Sequence, residues 1–414
     1  MKRWNEKYHD KFKWHSLSGQ LMDLRNLEAA WKKVRANHGT GGIDGETIEG
    51  FEAQKELGLA EIRRLLKERR YGPKPVRRVY IPKPDGRQRP LGIPTVKDRV
   101  VQQVLKDILE PIFEEIFLEG SHGYRAGKDA HQAMRKVRGY LGRGYHWLVD
   151  ADIQGFFDHV DHDIMMDLVR EKVADGRVLD LLEAFLKCGV MADGDYEATE
   201  EGTPQGGVIS PLLANIYLNH FDRRMGEEGY LLLRYADDFL IFCKSRQEAE
   251  NALSTAERIL GEELKLGLSP RKTRIFNADG CYGEFLGFLF TKGEMAPSKK
   301  AIDRYKNSIR RGTRRCQPRN ARMVIEGINP VIRGWGRYFG YMTVVKPFIL
   351  LDRWTRARVR SYKAQRRSRR VITRCLPEEE YLVSLVSLRT QKPATCNGER
   401  RTRAVYSKWV RTVR

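Results

Sequence analysis

The chain has 414 residues, 41% of them apolar, enough to bury a large core and to form more than one domain. Its net charge of +22 points to a polyanion as partner. Charged residues break every apolar run well short of the about 18 residues of a membrane span, and the six scattered cysteines contain no Cys-x-x-Cys pair, which argues against a zinc site or a disulfide framework. The start, Met1-Lys2-Arg3-Trp4-Asn5-Glu6, has no signal-peptide apolar stretch, so the expected location is the cytoplasm.

Residues 21–36 have helical spacing and end in the turn His38-Gly39-Thr40-Gly41-Gly42. A second helix is predicted over 59–70, stopped by Gly72-Pro73. Val76–Pro82 reads as a strand, Lys83-Pro84-Asp85-Gly86-Arg87 as a hairpin turn by its Asp-Gly signal, and a second strand follows. Residues 95–118 form a long amphipathic helix in this reading. The apolar strand Tyr145–Val149 runs into Asp150-Ala151-Asp152. Tyr230–Tyr235 runs into Asp237-Asp238, and Phe239–Cys243 is a strand again, giving a hairpin with two carboxylates at its tip. Residues 247–265 are predicted helical and Glu284–Phe290 a single strand.

From Lys299 onward the pattern is helical and basic, with breaks near Gln317-Pro318 and Lys346-Pro347. This part holds 31 Lys and Arg against 7 Asp and Glu, while the first 298 residues hold 45 against 47. All of the positive excess is therefore C-terminal. Trp335, Tyr338, Phe339, Tyr341, Trp354 and Tyr362 interleave with the charges, as folded or base-stacking segments would.

Adjacent carboxylates in a turn between apolar strands repel each other, and an ordinary turn would favour Asn or Gly. A divalent cation offsets the repulsion. Mg²⁺ takes carboxylate oxygens and substrate phosphates, and two acidic strand ends side by side could hold two ions about 4 Å apart.

Asp152-Ile153-Gln154-Gly155-Phe156-Phe157 followed by Tyr235-Ala236-Asp237-Asp238 resembles motifs A and C of a reverse-transcriptase palm. Gly202-Thr203-Pro204-Gln205-Gly206-Gly207 through Asn215 is similar to motif B of group II intron reverse transcriptases. Arg78–Gly92 resembles their fingers hairpin, Leu268–Thr273 motif D, and Phe285-Leu286-Gly287-Phe288 the primer-grip strand. Ile328-Asn329-Pro330 through Phe339 is similar to the thumb, or X domain, of group II maturases. The resemblance runs from about residue 21 to about residue 365. It implies an α+β right-hand polymerase fold with an all-helical thumb. The implied divisions are an N-terminal extension (1–70), fingers and palm (71–293), thumb (294–372) and a basic tail (373–414). Cys-pair and His signatures of the H-N-H endonuclease that ends many such proteins are missing, since no His lies beyond residue 220.

Carried over residue by residue, Asp152, Asp237 and Asp238 with the Ile153 carbonyl would hold two Mg²⁺ ions, for which Mn²⁺ could substitute. Asp150 is the rival on the same strand face, but only Asp152 stands five residues before Phe157. Asp158, Asp161 and Asp163 read as helix caps or surface charges, and His159 and His162 as ordinary histidines rather than a metal pair. Lys83 and Arg89 would reach the triphosphate, Phe157 would lie beneath the sugar, and Gln205 along the nascent base pair. Lys272 would be a general acid for pyrophosphate. Arg333, Arg337, Arg366, Arg367, Arg369 and Arg370 would contact nucleic acid. The implied partners are an RNA template, a DNA or RNA primer, deoxynucleoside triphosphates and group II intron RNA. Rival readings are a domesticated relative in repair or phage defence, an RNA-binding splicing cofactor with a dead polymerase site, and an RNA-directed RNA polymerase.

Overall fold

The computed structural model describes residues 12–82, 86, 88–192, 194–203, 206–314, 317–364 and 382–390. The chain divides into two compact units, Met1–Cys281 and Tyr282–Arg414.

The first unit begins with short helices. Asp23 caps the helix Leu24–Ala36, its carboxylate accepting from the Arg25 N–H at 2.9 Å. That cap divides the single helix expected over 21–36, leaving Ser18–Leu21 as a separate turn. Leu27, Ala30, Trp31 and Val34 recur at helical spacing and are all buried. Trp31 lies 4.5 Å from the Phe51 ring. The next long helix runs from Lys55 to Lys67, starting four residues earlier than its spacing indicated. The helix Val96–Glu114 is buried on nearly every side. Its Asp98 carboxylate accepts from the Thr95 hydroxyl at 2.6 Å and the Tyr71 hydroxyl at 2.8 Å, so its burial is matched by hydrogen bonds.

Two sheets follow. Strands β1 (Val76–Pro82) and β2 (Gln88–Ile93) pair antiparallel. Short strands β4 (Val190–Ala192) and β5 (Asp195–Glu197) extend them in the order β2-β1-β4-β5. The second sheet is antiparallel throughout, in the order β6-β7-β3-β8, with β3 at Trp147–Asp152, β6 at Leu231–Tyr235, β7 at Asp238–Cys243 and β8 at Arg274–Asn277. Alternation along the strands sorts the side chains by face. Val149 and Ala151 of β3 and Phe239, Ile241 and Cys243 of β7 enter the main core, with Ala249, Ala252 and Ala256 of the helix Arg246–Arg258. The opposite face carries Leu148, Asp150 and Asp152 beside Phe242, Leu240 and Asp238. The helix expected over 247–265 is regular only to Arg258 and continues as a π-helical turn, Ile259–Glu263.

The second unit opens with a three-stranded sheet, β11-β10-β9. Glu284–Phe290 is not one strand. It folds into β9 (Gly283–Phe285) and β10 (Phe288–Phe290), with Phe285 opposite Phe288. The turn is made by Leu286 (φ 52°) and Gly287 (φ 79°), and a two-residue hairpin loop with both φ values positive suits the strand twist. Strand β11 (Met295–Pro297) falls in a region expected to be wholly helical. Helices Lys299–Gly312, Ala321–Phe339, Lys346–Ala364 and Leu385–Thr390 complete the unit. Its core is aromatic: Trp335 lies 5.2 Å from Tyr305, 4.7 Å from Phe339 and 5.3 Å from Phe348. No helix among the described residues is long and apolar enough to cross a membrane.

One carboxylate ties the N-terminal segment to the rest of its unit. Asp175 caps the helix Gly176–Leu186 through the Arg177 and Val178 N–H groups and accepts 2.8 Å bonds from the N–H groups of Leu17 and Ser18. Asp175→Ala should therefore lower the unfolding free energy by about 2 kcal/mol, read from urea unfolding. A change within about 0.5 kcal/mol, the scale of neutral surface substitutions, would show that water replaces these bonds without cost.

Candidate active site

The hairpin joining β6 to β7 has a two-residue loop, Ala236-Asp237, between the paired Tyr235 and Asp238. Ala236 has φ 60°, a left-handed conformation that costs an L-residue about 1–2 kcal/mol. Arg234, fully buried, holds it there. Its guanidinium donates to both Asp222 oxygens (Nε to Oδ1 2.7 Å, Nη2 to Oδ2 2.6 Å), to Asn215 Oδ1 (3.1 Å), to the Ala236 carbonyl (2.9 Å) and to Ser121 Oγ (2.9 Å). Five donors meet five acceptors, which is the full capacity of the side chain. The segment Gly120–Gly123 lies along β6: His122 N–H donates to the Arg234 carbonyl and Arg234 N–H to that of Gly120. Asn215 donates to the Gly123 carbonyl at 2.8 Å. A Cβ at Gly123 would collide with the Ala236 backbone nitrogen, so glycine is needed there.

Asp152 ends β3 directly opposite Asp238. Ile153 N–H donates to the Asp237 carbonyl at 3.2 Å, which fixes the strand end to the hairpin tip. On the other side Ser269 N–H donates to the Asp152 carbonyl at 2.8 Å and Ile153 bridges Leu268. That loop also delivers Lys272, whose Nζ is 2.7 Å from Asp152 Oδ2. Asp150 is engaged differently: Arg274 of β8 donates to its Oδ2 at 3.0 and 2.9 Å.

Crowding of carboxylates is visible in their proton affinities. Burial pushes Asp238 up to about 8, and Asp150, Asp152 and Asp237 add to the shift. Asp237 is raised too, chiefly by burial and then by Asp152. A divalent cation would relieve this repulsion. Among the described residues no three His, Cys, Asp or Glu side chains are gathered into a group that could hold a metal ion. The Lys272 ammonium places a positive charge on Asp152.

Phe157 is buried behind a cleft of about 500 Å³ that it lines with Arg78, Pro90 and Gly92 of the β1–β2 pair and with Gly202 and Thr203. Thr203 N–H donates to the Phe157 carbonyl at 2.8 Å. Gly206, at φ 118°, packs its loop so close to the Gly92 carbonyl that any side chain would clash. Phe156 packs instead against Tyr217, 6.2 Å between ring centres. Arg89 lies on β2, opposite Ile81, and is exposed. Arg333 and Arg337 are exposed one turn apart on the helix Ala321–Phe339. Asp161 caps the helix His162–Arg170, and the buried His162 bonds the Gly202 carbonyl at 2.6 Å, each a structural role. Lys83, Gln205, Arg366, Arg367, Arg369 and Arg370 lie outside the described residues.

Residues 81–296 match the family model described as reverse transcriptase (RNA-dependent DNA polymerase). The chain belongs to the reverse transcriptase family. Residues 302–376 match a second model, the group II intron maturase-specific domain. Among curated relatives, the group II intron-encoded protein LtrA of Lactococcus lactis subsp. cremoris is 41% identical over 197 residues, covering 47% of this chain and 32% of that protein. Protein YkfC of Escherichia coli (strain K12) is 36% identical over 291 residues, covering 61% of this chain and 74% of that protein. The chain thus spans about a third of the length of the Lactococcus protein and about three quarters of YkfC.

Sequence reasoning passed over Arg234, Asp222 and Asn215. The signal was present: a lone arginine inside the apolar strand Leu231–Tyr235 needs a partner. Asp222→Ala would leave that guanidinium buried and unpaired, so unfolding free energy should fall by about 3–5 kcal/mol in denaturant titration. The double replacement Asp222→Leu with Arg234→Met should recover most of the loss, because no charge then remains to be desolvated. A double variant no more stable than Asp222→Ala would show that shape, not charge, sets the cost.

Proposed function

We propose that this protein is an RNA-directed DNA polymerase acting by two-metal-ion catalysis, and that its second unit serves as a thumb that also binds group II intron RNA. The observation that carries the reading is the in-register pairing of Asp152 with Asp238, with Asp237 at the adjoining turn. These three residues would hold the ions, joined by the Ile153 carbonyl. Bound Mg²⁺ would lower the pKa of the primer 3′-hydroxyl and offset charge on the leaving pyrophosphate.

The chain's own residues supply the rest. The primer 3′-oxygen attacks the α-phosphorus of a deoxynucleoside triphosphate, a phosphodiester forms, and the bond to pyrophosphate breaks. Arg89, and Lys83 six residues before it in the sequence, would orient the triphosphate. Lys272, with its Nζ 2.7 Å from Asp152 Oδ2, would donate the proton that the leaving pyrophosphate takes up. Phe157 would underlie the sugar, with Gln205 along the base pair being formed.

Reading the second unit as an intron-binding thumb is supported by the maturase-domain match, the C-terminal excess of basic residues and the exposed pair Arg333 and Arg337.

Asp237→Asn keeps the side-chain shape but removes a ligand charge. Primer extension on an RNA template with Mg²⁺ should fall at least about 100-fold, while RNA binding persists. Near-normal extension by this variant would remove the site assignment. Phe157→Ala should admit ribonucleotides by making room for the 2′-hydroxyl, read as the ratio of kcat/KM for the two sugars. An unchanged ratio would discard the steric gate. Replacing Arg333 and Arg337 by Gln should flatten the dependence of log affinity on log salt by about one to two units, as phosphate contacts are lost. A slope identical to wild type would mean that these arginines touch no phosphate.

A further inference from the structure

Six non-glycine residues among those described have a left-handed backbone, and two of them, Tyr124 and Ala236, meet at one place. Ala236 forms the catalytic turn. Tyr124, at φ 59°, follows Gly123, which is pressed against the Ala236 nitrogen. Residues forced into this conformation persist only where surroundings over-determine them, and such strain gathers at functional sites. Here the surroundings are the pairing of Ser121 and His122 with Arg234 and the bond from Asn215 to the Gly123 carbonyl. On that rigid base the Tyr124 side chain is only half covered: the residue is 48% exposed. Through Gly123, which touches the Ala236 backbone, Tyr124 stands beside the two-residue turn that carries Asp237, and the charges of Asp237 and Arg89 reach its hydroxyl. Its segment runs along the outer edge of β6, and the sheet order β6-β7-β3-β8 puts β3, with Asp152 and the Phe157 cleft after it, on the other side of the hairpin.

We propose that Tyr124 is a positioning residue for the template–primer duplex: its ring packs on the terminal base pair beside the catalytic turn. The proposal rests on the polymerase reading and names a contact for that site. An aromatic face suits this task because every base presents a π-surface, so the hold is independent of sequence.

The test uses the full chain with Tyr124→Ala, Tyr124→Phe and Tyr124→Gly. Binding of a recessed RNA–DNA primer–template duplex is read by fluorescence anisotropy, nucleotide KM by single-nucleotide extension, and Tm by thermal unfolding. Tyr124→Ala should weaken duplex binding about 10-fold, the scale of one lost base–aromatic stack, with nucleotide KM changed less than about twofold. Tyr124→Phe, which keeps the ring, should bind like wild type. Tyr124→Gly should lose the duplex as Ala does, yet hold or raise Tm, because glycine adopts the left-handed backbone without strain. Wild-type duplex affinity in both Ala and Gly variants overturns the proposal. So does a loss of binding that tracks a fall in Tm, or an effect confined to nucleotide KM. If wild-type protein binds the duplex but extends no primer, the polymerase reading fails, while anisotropy still decides the contact.

Discussion

The arrangement of the first unit depends on one buried ion pair. Arg234 and Asp222 are both withdrawn from water, at 0% and 3% side-chain exposure. Desolvating two such charges costs several kcal/mol per ion and is offset only when every donor is satisfied. Here every donor is. The fork of an arginine is required, since lysine has three donors from a single point and could not reach Asp222, Asn215, Ser121 and the Ala236 carbonyl together. Three pieces of chain remote in sequence are thereby fixed to one guanidinium: the helix Ser210–Glu227, the segment at Ser121 and the hairpin turn. The carboxylates at the turn inherit their positions from this pair.

Two aspartates on one strand face show how similar residues acquire different uses. Asp150 is gripped by Arg274, which is held in the adjacent strand β8. Asp152 is held by Lys272, a side chain with 58% exposure at the end of a loop. A cation could displace the loop lysine at little cost to the fold. Arg274 instead stands on a strand paired with β3 along four residues. The two partners thus differ in where each cation is anchored, one on a loop and one on a strand.

Much of this was legible in the sequence because it is local. The strand β1, the β6–β7 hairpin and the acidic end of β3 are announced by two-residue alternation and by turn residues within a few positions. The misread elements have local causes that pattern alone conceals. Glu284–Phe290 looks like one strand because the turn residues Leu286 and Gly287 interrupt an apolar run without a polar residue. Asp23 was invisible as a helix break inside 21–36, since an aspartate fits both a helix surface and a cap. One partner of Arg234 and the partner of Asp150 lie far off in sequence, Ser121 at a separation of 113 and Arg274 at 124. Nothing in a window of a dozen residues can find those two.

The second unit shows how aromatic and basic residues of one segment are divided between core and surface. In the helix Ala321–Phe339 both occur, because 3.6 residues per turn send neighbours to different sides. Trp335 and Phe339, four apart, enter the aromatic core. Arg333 and Arg337, also four apart but offset by two, are exposed. Tyr338 bridges to the small sheet, its hydroxyl donating to the Leu286 carbonyl at 2.9 Å while its ring lies 5.2 Å from Phe288. Leu286 is the left-handed residue of the β9–β10 turn, so the same helix that turns its arginines outward also braces the strained loop of the sheet beside it. A helix so fixed offers its charges at a constant spacing of about 6 Å per turn, because the packed aromatic face leaves the opposite face no freedom to turn.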